Sequence, residues 1–191
     1  MPKFVECIHS STTSQKMTYE VELRRSTRRS LAALEREHRQ LIYRRLSADN
    51  DNECHVGVKM FPEKGRGVVA LRDFEKGQFV LEYAGELINI ARAKERERKY
   101  SLDPSTGCYM YYFNYNDLNY CIDATKQSNR PSRLVNHSRI QPNLQTKLIT
   151  FQGQPRLILL ARVKIKRGSE LLFDYGDRSK SSIAAHPWLA Q

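Results

Sequence analysis

The chain has 191 residues, a hydrophobic fraction of 40% and a formal net charge of +11. This length suffices for one ordinary domain with its own core and a short extension, and the composition excludes wholesale disorder. The positive charge favours a polyanionic partner, chiefly nucleic acid or nucleoprotein, over a role in solubility alone.

The first fifty residues are predicted to form a tail and a basic helix. Residues 1–21 mix Ser, Thr and charged residues without periodicity, and we expect this amino-terminal segment to be flexible. Helix-forming residues dominate from 22 to 47, and Asp-Asn-Asp-Asn at 49–52 ends the pattern, so helix and linker together span 22–52. An apolar stripe predicts an amphipathic helix that packs on the following domain, since there are too few heptads for a coiled coil. The stripe consists of Leu31, Leu34, Leu41, Ile42 and Leu46, and the outward-facing arginines of the segment are Arg24, Arg25, Arg28, Arg29, Arg36, Arg39, Arg44 and Arg45.

Eight short runs after the linker have the composition of strands. They span residues 56–61, 67–71, 78–83, 109–115, 119–123, 144–151, 156–161 and 170–173. Only two short helices are predicted among them, one at 91–100 with Asn89 as its cap and one at 182–188. The pattern indicates an α+β domain that is mainly β and is built from several small twisted sheets.

The four cysteines are not arranged as metal ligands. Cys7, Cys54, Cys108 and Cys121 lack CxxC spacing and paired histidines, so we expect no structural zinc site. The amino terminus lacks the pattern of a secretory leader, and no apolar run is long enough to span a bilayer. We therefore expect an intracellular, reducing compartment without disulfides.

Two short motifs contain residue types suited to ligand binding. The Lys-Gly-Arg-Gly motif at 64–67 offers close backbone approach and positive charge for a carboxylate, yet taken alone it favours a Gly-rich hairpin turn. Asn136 and His137 place a side-chain amide next to an imidazole in the sequence. A single His after a buried strand, however, is more often structural. No Asp or Cys at triad-like spacing supports nucleophilic hydrolysis.

The chain has ten tyrosines, more than a core of this size needs. Several lie within 109–113, and others are Tyr83, Tyr120 and Tyr175. About half are assigned to packing, which is the usual role of aromatic residues. The others could line a narrow channel, because aromatic faces attract an ammonium group by cation–π interaction.

Four segments together resemble the SET domain of protein lysine methyltransferases. They occur in the same order and at suitable separations, at residues 64–67, 82–85, 133–138 and 173–176. The resemblance covers residues 56–191. The stretches 103–113 and 175–180, the latter with its ending at 185–189, are similar to one branch, the enzymes that methylate lysine 20 of the histone H4 tail. That branch also resembles this chain in having a basic helix before the domain and no cysteine-rich zinc segments around it.

The resemblance implies domain boundaries, a cofactor and site residues. A SET domain is expected at 53–176, followed by a closing segment at 177–191 with pseudoknot-like threading. Tyr175 is implied as the phenol at the reacting centre, with Tyr83 orienting the lysine amine and Cys108 lining the pore through which the amine meets the methyl donor in line. The implied S-adenosylmethionine site needs no metal and consists of Lys64, Gly65, Arg66, Tyr109, Asn136 and His137, with Trp188 over the adenine.

Two features depart from the narrow branch. The loop at 136–143 is one residue longer, and Phe173 stands where the branch carries tyrosine. Phenylalanine lacks the hydroxyl that would hold a water beside the amine, so we expect dimethyl-lysine, with some trimethyl-lysine, as the product. The alternative is that another hydroxyl, such as that of Tyr111 or Tyr112, holds the same water.

The predicted function is a histone methyltransferase acting on the H4 tail of nucleosomes, in the nucleus and on chromosomes. We expect a monomer whose basic helix meets nucleosomal DNA. Two alternatives remain, a methyltransferase of a non-histone protein and a catalytically silent chromatin-binding SET module. The silent module would be expected to have lost Tyr175 or the pair Asn136 and His137. A simple nucleic-acid-binding protein would need a recognisable binding motif, and the sequence has none.

Overall fold

The computed structural model describes residues 30–48, 51–62, 64–103, 106–107 and 109–176. The chain divides into two compact units, residues 1–44 and 45–191. Residues 30–47 are helical (α1), which confirms the predicted basic helix over its described part. None of the helices in these ranges is long and apolar enough to cross a membrane.

The apolar stripe of α1 is covered only at its carboxyl-terminal end. Ile42 and Leu46 are buried, whereas Leu31, Leu34 and Leu41 are 59%, 58% and 46% exposed. Ile42 and Leu46 lie one turn apart on the same face, while Leu34 and Leu41 lie about 100° further round the helix. The expectation that this stripe packs on the following domain concerns a contact between the two units, and it stays a prediction.

Residues 51–176 form short strands and few helices. Two 3-10 helices lie at Asp51–His55 and Pro131–Leu134, and helix α2 is Ile90–Tyr100. The strands are β1 (Val56–Phe61), β2 (Gly65–Ala70), β3 (Phe79–Glu82), β4 (Glu86–Asn89), β5 (Met110–Tyr115), β6 (Leu118–Asp123), β7 (Asn136–His137), β8 (Leu144–Phe151), β9 (Gln154–Ala161) and β10 (Leu172–Phe173).

The strands pair into four small sheets in the part of the chain that the structure describes. β1 and β2 form an antiparallel hairpin. Two antiparallel three-stranded sheets have the orders β3-β9-β8 and β4-β6-β5, and the two-residue strands β7 and β10 pair in parallel. This architecture confirms the predicted α+β, mainly β fold.

The hydrophobic core draws on most of these sheets. β9 is the central strand of its sheet, and it is buried at every residue from Leu157 to Ala161 because both of its faces are covered. Val68 from β2, Leu81 from β3 and Phe173 from β10 belong to the same core and are almost fully buried. The core therefore holds β10 in place, although this strand has only two residues.

The buried carboxylate of Asp123 links helix α2 to β6 by hydrogen bonds. Asn89 caps the helix by accepting a hydrogen bond from the main-chain N–H of Arg92, as predicted. At the end of β6, Asp123 accepts hydrogen bonds from Arg96 at 2.7 Å and from the Tyr100 hydroxyl at 2.8 Å. Burial alone would raise the pKa of Asp123, but the hydrogen bonds that it accepts lower it. The carboxylate thus stays ionised and holds α2 against this sheet.

The strand predictions are confirmed with shifts of one or two residues at their ends. β4 and β7 were not predicted, because Glu86–Asn89 and Asn136–His137 are too short to show an alternating pattern. The second half of the expected linker at 49–52 belongs to the 3-10 helix Asp51–His55. The predicted helix at 182–188 and the threading of 177–191 lie outside the described residues.

Candidate active site

The parallel pairing of β7 with β10 brings two distant motifs together. Asn136 lies opposite Leu172, and His137 lies opposite Phe173. The main-chain N–H of Ser138 donates to the carbonyl oxygen of Phe173 at 3.1 Å. The polar pair from one motif and the aromatic residues of the other are therefore neighbours in the fold.

Four aromatic side chains, which we call the aromatic cluster, lie next to this pairing. The cluster consists of Tyr83, Tyr111, Phe173 and Tyr175. The ring centroid of Phe173 lies 4.7 Å from that of Tyr175, 5.9 Å from that of Tyr83 and 6.3 Å from that of Tyr111. His137 extends the cluster, with its ring 5.0 Å from that of Tyr175 in an edge arrangement. Phe173 is thus the ring that contacts all the others.

The hydroxyl groups of Tyr175 and Tyr83 donate to main-chain carbonyl oxygens. Tyr175 donates to Val135 at 2.8 Å, and Tyr83 donates to Tyr109 at 3.1 Å. The main-chain N–H of Tyr175 also donates to Nδ1 of His137 at 3.1 Å. A phenol that donates its proton can also accept a hydrogen bond through its oxygen. Both oxygens are therefore oriented acceptors.

The two other candidate hydroxyls differ in their orientation. Tyr111 lies in the aromatic cluster, and its hydroxyl donates to Oγ1 of Thr146 at 3.1 Å. Tyr112 follows it in β5, so its side chain leaves the opposite face of the sheet, where it is 41% exposed. Of this pair, only Tyr111 contributes its ring to the aromatic cluster.

A polar cluster lies on the other side of β7 and consists of Lys64, Asn136 and Glu170. Nδ2 of Asn136 donates to one oxygen of the Glu170 carboxylate at 2.9 Å, and Nζ of Lys64 donates to the other at 3.1 Å. The amide of Asn136 also lies against Gly67, where a Cβ atom would come within 2.6 Å of Nδ2. Gly67 is required here because any side chain would displace this amide.

Buried charges lie at the end of β3, directly before Tyr83. Its neighbour Glu82 is 5% exposed and accepts hydrogen bonds from Arg130 at 3.1 Å and from Arg156 at 2.9 Å. Arg130 also pairs with Glu53. Burial raises the pKa of Glu53 and outweighs the opposing effect of Arg130. The pKa of Arg130 is raised, because the two carboxylates outweigh the effect of its burial.

The remaining predicted site residues are distributed around these clusters. The guanidinium of Arg133 lies over the ring of Tyr109 at 3.9 Å. Arg66 is exposed in β2, next to the left-handed backbone of Gly65, whose φ is 72°. Cys108 and Trp188 lie outside the described residues. Where the chain is described, no three His, Cys, Asp or Glu side chains are grouped to hold a metal ion.

Two residues of these clusters were not among the predicted site residues. Tyr111 was considered only as a possible holder of a water, although it follows two predicted site positions in the same aromatic run. Glu170 begins the strand that leads into the fourth matched segment, and the resemblance assigns it no site role. Its charge, at the beginning of an otherwise apolar run, was the available signal.

A family model described as the SET domain matches residues 65–176, which is more than half of the chain. The chain belongs to the SET-domain family. It is 52% identical over 179 residues to the zebrafish (Danio rerio) protein named N-lysine methyltransferase KMT5A-A, covering 94% of this chain and 51% of that protein. It therefore spans about half the length of that relative.

Other relatives show the same similarity within the SET-domain family. The Caenorhabditis elegans protein named Histone-lysine N-methyltransferase set-1 is 42% identical, with 93% of this chain and 73% of that protein covered. The Drosophila melanogaster protein named Histone-lysine N-methyltransferase Set8 is 46% identical, with 93% and 25% covered. The crystal structure of CpSET8 from Cryptosporidium is 49% identical with a TM-score of 0.61, and the match covers 67% of this chain and 61% of that one.

Proposed function

We propose that the protein is an S-adenosylmethionine-dependent protein-lysine methyltransferase that acts on lysine 20 of the histone H4 tail. Membership of the SET-domain family and the names of the relatives support the methyltransferase activity. The two stretches similar to the H4 branch support the substrate. The observation that carries the proposal is the meeting of the polar and aromatic clusters at β7, where Asn136 and His137 are adjacent.

The residues present fit the cofactor. S-adenosylmethionine supplies an electrophilic methyl group on a sulfonium. Lys64 and Arg66 offer positive charge for its carboxylate. Asn136 offers a side-chain amide, and the missing side chain of Gly67 leaves the space that this amide occupies. Tyr109 and Arg133 form a stacked pair beside the aromatic cluster. Trp188 is proposed to cover the adenine.

The aromatic cluster is suited to the side chain of the target lysine. Its rings attract an ammonium group, and the acceptor oxygens of Tyr175 and Tyr83 orient the N–H groups of the amine. We assign Tyr175 to the reacting centre, Tyr83 to orientation of the amine and Cys108 to the lining of the pore. Fixing the amine on one line with the methyl donor makes the displacement effectively unimolecular.

The product is proposed to go beyond monomethyl-lysine because Phe173 has no hydroxyl. Phe173 contacts every other ring of the aromatic cluster, so a hydroxyl here would project beside the amine. The hydroxyl of Tyr111 donates its proton to Thr146, so it can bind a water only as an acceptor. A water at this place therefore loses one hydrogen-bond partner and is easier to expel when a methylated amine turns.

The nucleosome is the proposed form of the substrate, which places the protein in the nucleus on chromosomes. Arg36, Arg39 and Arg44 are exposed on α1, and the same segment contains four further arginines before residue 30. These charges are suited to DNA phosphates. We propose that the protein acts as a monomer, with a SET domain at 53–176 and a closing segment at 177–191.

Transfer of a labelled methyl group from S-adenosylmethionine to an H4 tail peptide tests this function. The matched control peptide has arginine in place of lysine 20. We expect incorporation into the first peptide and none into the second. Equal incorporation into both would contradict the choice of lysine, while binding of the peptide without any transfer would support a silent chromatin-binding module.

A further inference from the structure

We infer that Glu170 is a positioning residue for the amino-acid end of the cofactor. It determines which way the side-chain amide of Asn136 is turned, and it forms an ion pair with Lys64. The polar cluster thereby offers groups that complement a zwitterionic α-amino acid. The inference rests on the proposed function and gives a role to a residue to which the resemblance assigns none.

Glu170 is held in place by both its main chain and its side chain. Its main chain bridges to Val69 of β2, and its carbonyl oxygen accepts from Nδ2 of Asn143 at 2.7 Å. Its side chain is only 17% exposed, and its carboxylate accepts a hydrogen bond from Asn136 on one oxygen and from Lys64 on the other. A carboxylate restrained in this way can restrain its partners.

The carboxylate determines which end of the Asn136 amide faces the ligand. An ionised carboxylate only accepts hydrogen bonds, so Asn136 must turn its NH₂ group toward Glu170. The amide oxygen of Asn136 then points away from Glu170. That oxygen is an acceptor, and it suits a ligand ammonium group but not a ligand carboxylate. Without Glu170 the amide is free to reverse and present its NH₂ group instead.

The charges of the polar cluster complement those of an amino acid. Lys64 is its positive group, and Glu170 supplies one negative group bonded to Lys64. A zwitterion needs positive charge for its carboxylate and an acceptor or negative charge for its ammonium group. Lys64 meets the first need, while the amide oxygen of Asn136 and the nearby Glu170 meet the second.

Glu170 also links this end of the site to the aromatic cluster. It directly precedes Leu171 and β10, whose Phe173 contacts every other ring of that cluster. Leu171 is fully buried in the core, so the short segment from Glu170 to Phe173 is rigid. A ligand that binds against Glu170 is therefore placed in a fixed relation to the reacting centre.

Calorimetry with two ligands tests this inference. S-adenosylhomocysteine contains the amino-acid end, and 5′-methylthioadenosine lacks it. For Glu170→Ala we expect the affinity for S-adenosylhomocysteine to fall roughly tenfold or more, with a change of less than about twofold for 5′-methylthioadenosine. Glu170→Gln is nearly isosteric and can still accept from Asn136 through its amide oxygen, so its loss should be smaller.

The control is Glu75→Gln, which removes an exposed partner of Lys164 and should leave both affinities unchanged. Equal losses for both ligands in the Glu170 variants, or no loss for S-adenosylhomocysteine, would overturn the inference and leave the proposed function standing. A wild-type protein that binds neither ligand would overturn the proposed function and the inference with it. Thermal melting of Glu170→Gln separates a binding loss from a folding loss.

Discussion

The hydroxyl of Tyr175 donates a hydrogen bond to the main-chain carbonyl oxygen of Val135 at 2.8 Å. Val135 directly precedes β7, and Tyr175 lies two residues after β10, so this bond continues the contact between the two paired segments. It gives the Tyr175 oxygen a fixed direction. The phenol proposed for the reacting centre is therefore oriented by the residue directly before the strand that carries Asn136 and His137.

Replacing Tyr175 by Phe is expected to lower turnover by about a hundredfold or more, because removing a preoriented hydrogen-bonding group at a reacting centre typically lowers the rate by about this factor. The fold should persist, since the ring contacts with Phe173 and His137 remain. Initial rates of peptide methylation and a thermal melt check both expectations. The matched control is Tyr120→Phe, whose ring stacks on Phe113 outside the aromatic cluster. Near-normal turnover in Tyr175→Phe would remove Tyr175 from the reacting centre.

Replacing Asn136 by Ala is expected to weaken S-adenosylhomocysteine binding by about 1–3 kcal/mol, since a buried polar partner is left unsatisfied. Isothermal titration calorimetry measures this loss. Asn114→Ala is the control, because Asn114 bonds to Asn119 on the exposed part of its sheet. A loss of equal size in Asn114→Ala would mean that the effect is not specific to the site.

Replacing Phe173 by Tyr is expected to restrict the product to fewer methyl groups. A water that gains one hydrogen bond is harder to expel by about 0.5–1.5 kcal/mol, and about 1.4 kcal/mol corresponds to a tenfold rate. The second methyl transfer should therefore slow by roughly severalfold to tenfold. Time courses on unmethylated and monomethylated peptides measure this step. Clean arrest of the wild type at monomethyl-lysine would contradict the role given to Phe173.

Neutralising Arg24, Arg25, Arg28 and Arg29 with glutamine is expected to reduce nucleosome methylation while sparing a short peptide. Attraction to DNA depends strongly on the number of phosphates neutralised and on salt, and a peptide offers no comparable polyanion. Rates on both substrates at two salt concentrations test this. Equal losses on both substrates would argue against DNA binding, and a lower melting temperature would indicate a bracing role instead.

Replacing Glu82 by Gln is expected to destabilise the fold by about 2–3 kcal/mol, because Arg130 loses a charged partner in a partly buried position. Equilibrium unfolding in urea measures the change. Glu95→Gln is the control, since Glu95 and Lys99 form an exposed pair whose loss should not move the unfolding midpoint. If the two variants unfold alike, the buried charges around Glu82 contribute little.

The sequence predicted the long strands well because their residues carry a local signal. β1 and β8 have the predicted bounds, and Asn89 caps α2 as its position before a charged helical run indicated. In each of these elements the signal, composition or cap, depends only on residues that are close in the sequence. The family resemblance then added the order of the blocks, which composition and periodicity do not provide.

Long-range relationships were beyond the reach of local patterns. The two-residue strand β7 exists only because β10 pairs with it, so nothing in its own sequence marks it. The bonds from Asn136 and Lys64 to Glu170 span 34 and 106 residues along the chain.

Tandem mass spectrometry of reconstituted nucleosomes after incubation with the protein and S-adenosylmethionine tests the central claim most directly. It reports activity, modified residue and methyl count in one measurement. We expect methylation of lysine 20 of histone H4, with dimethyl-lysine accumulating after monomethyl-lysine and no product from Tyr175→Phe over the same period. Unmodified H4, or methylation confined to another histone, would contradict the account.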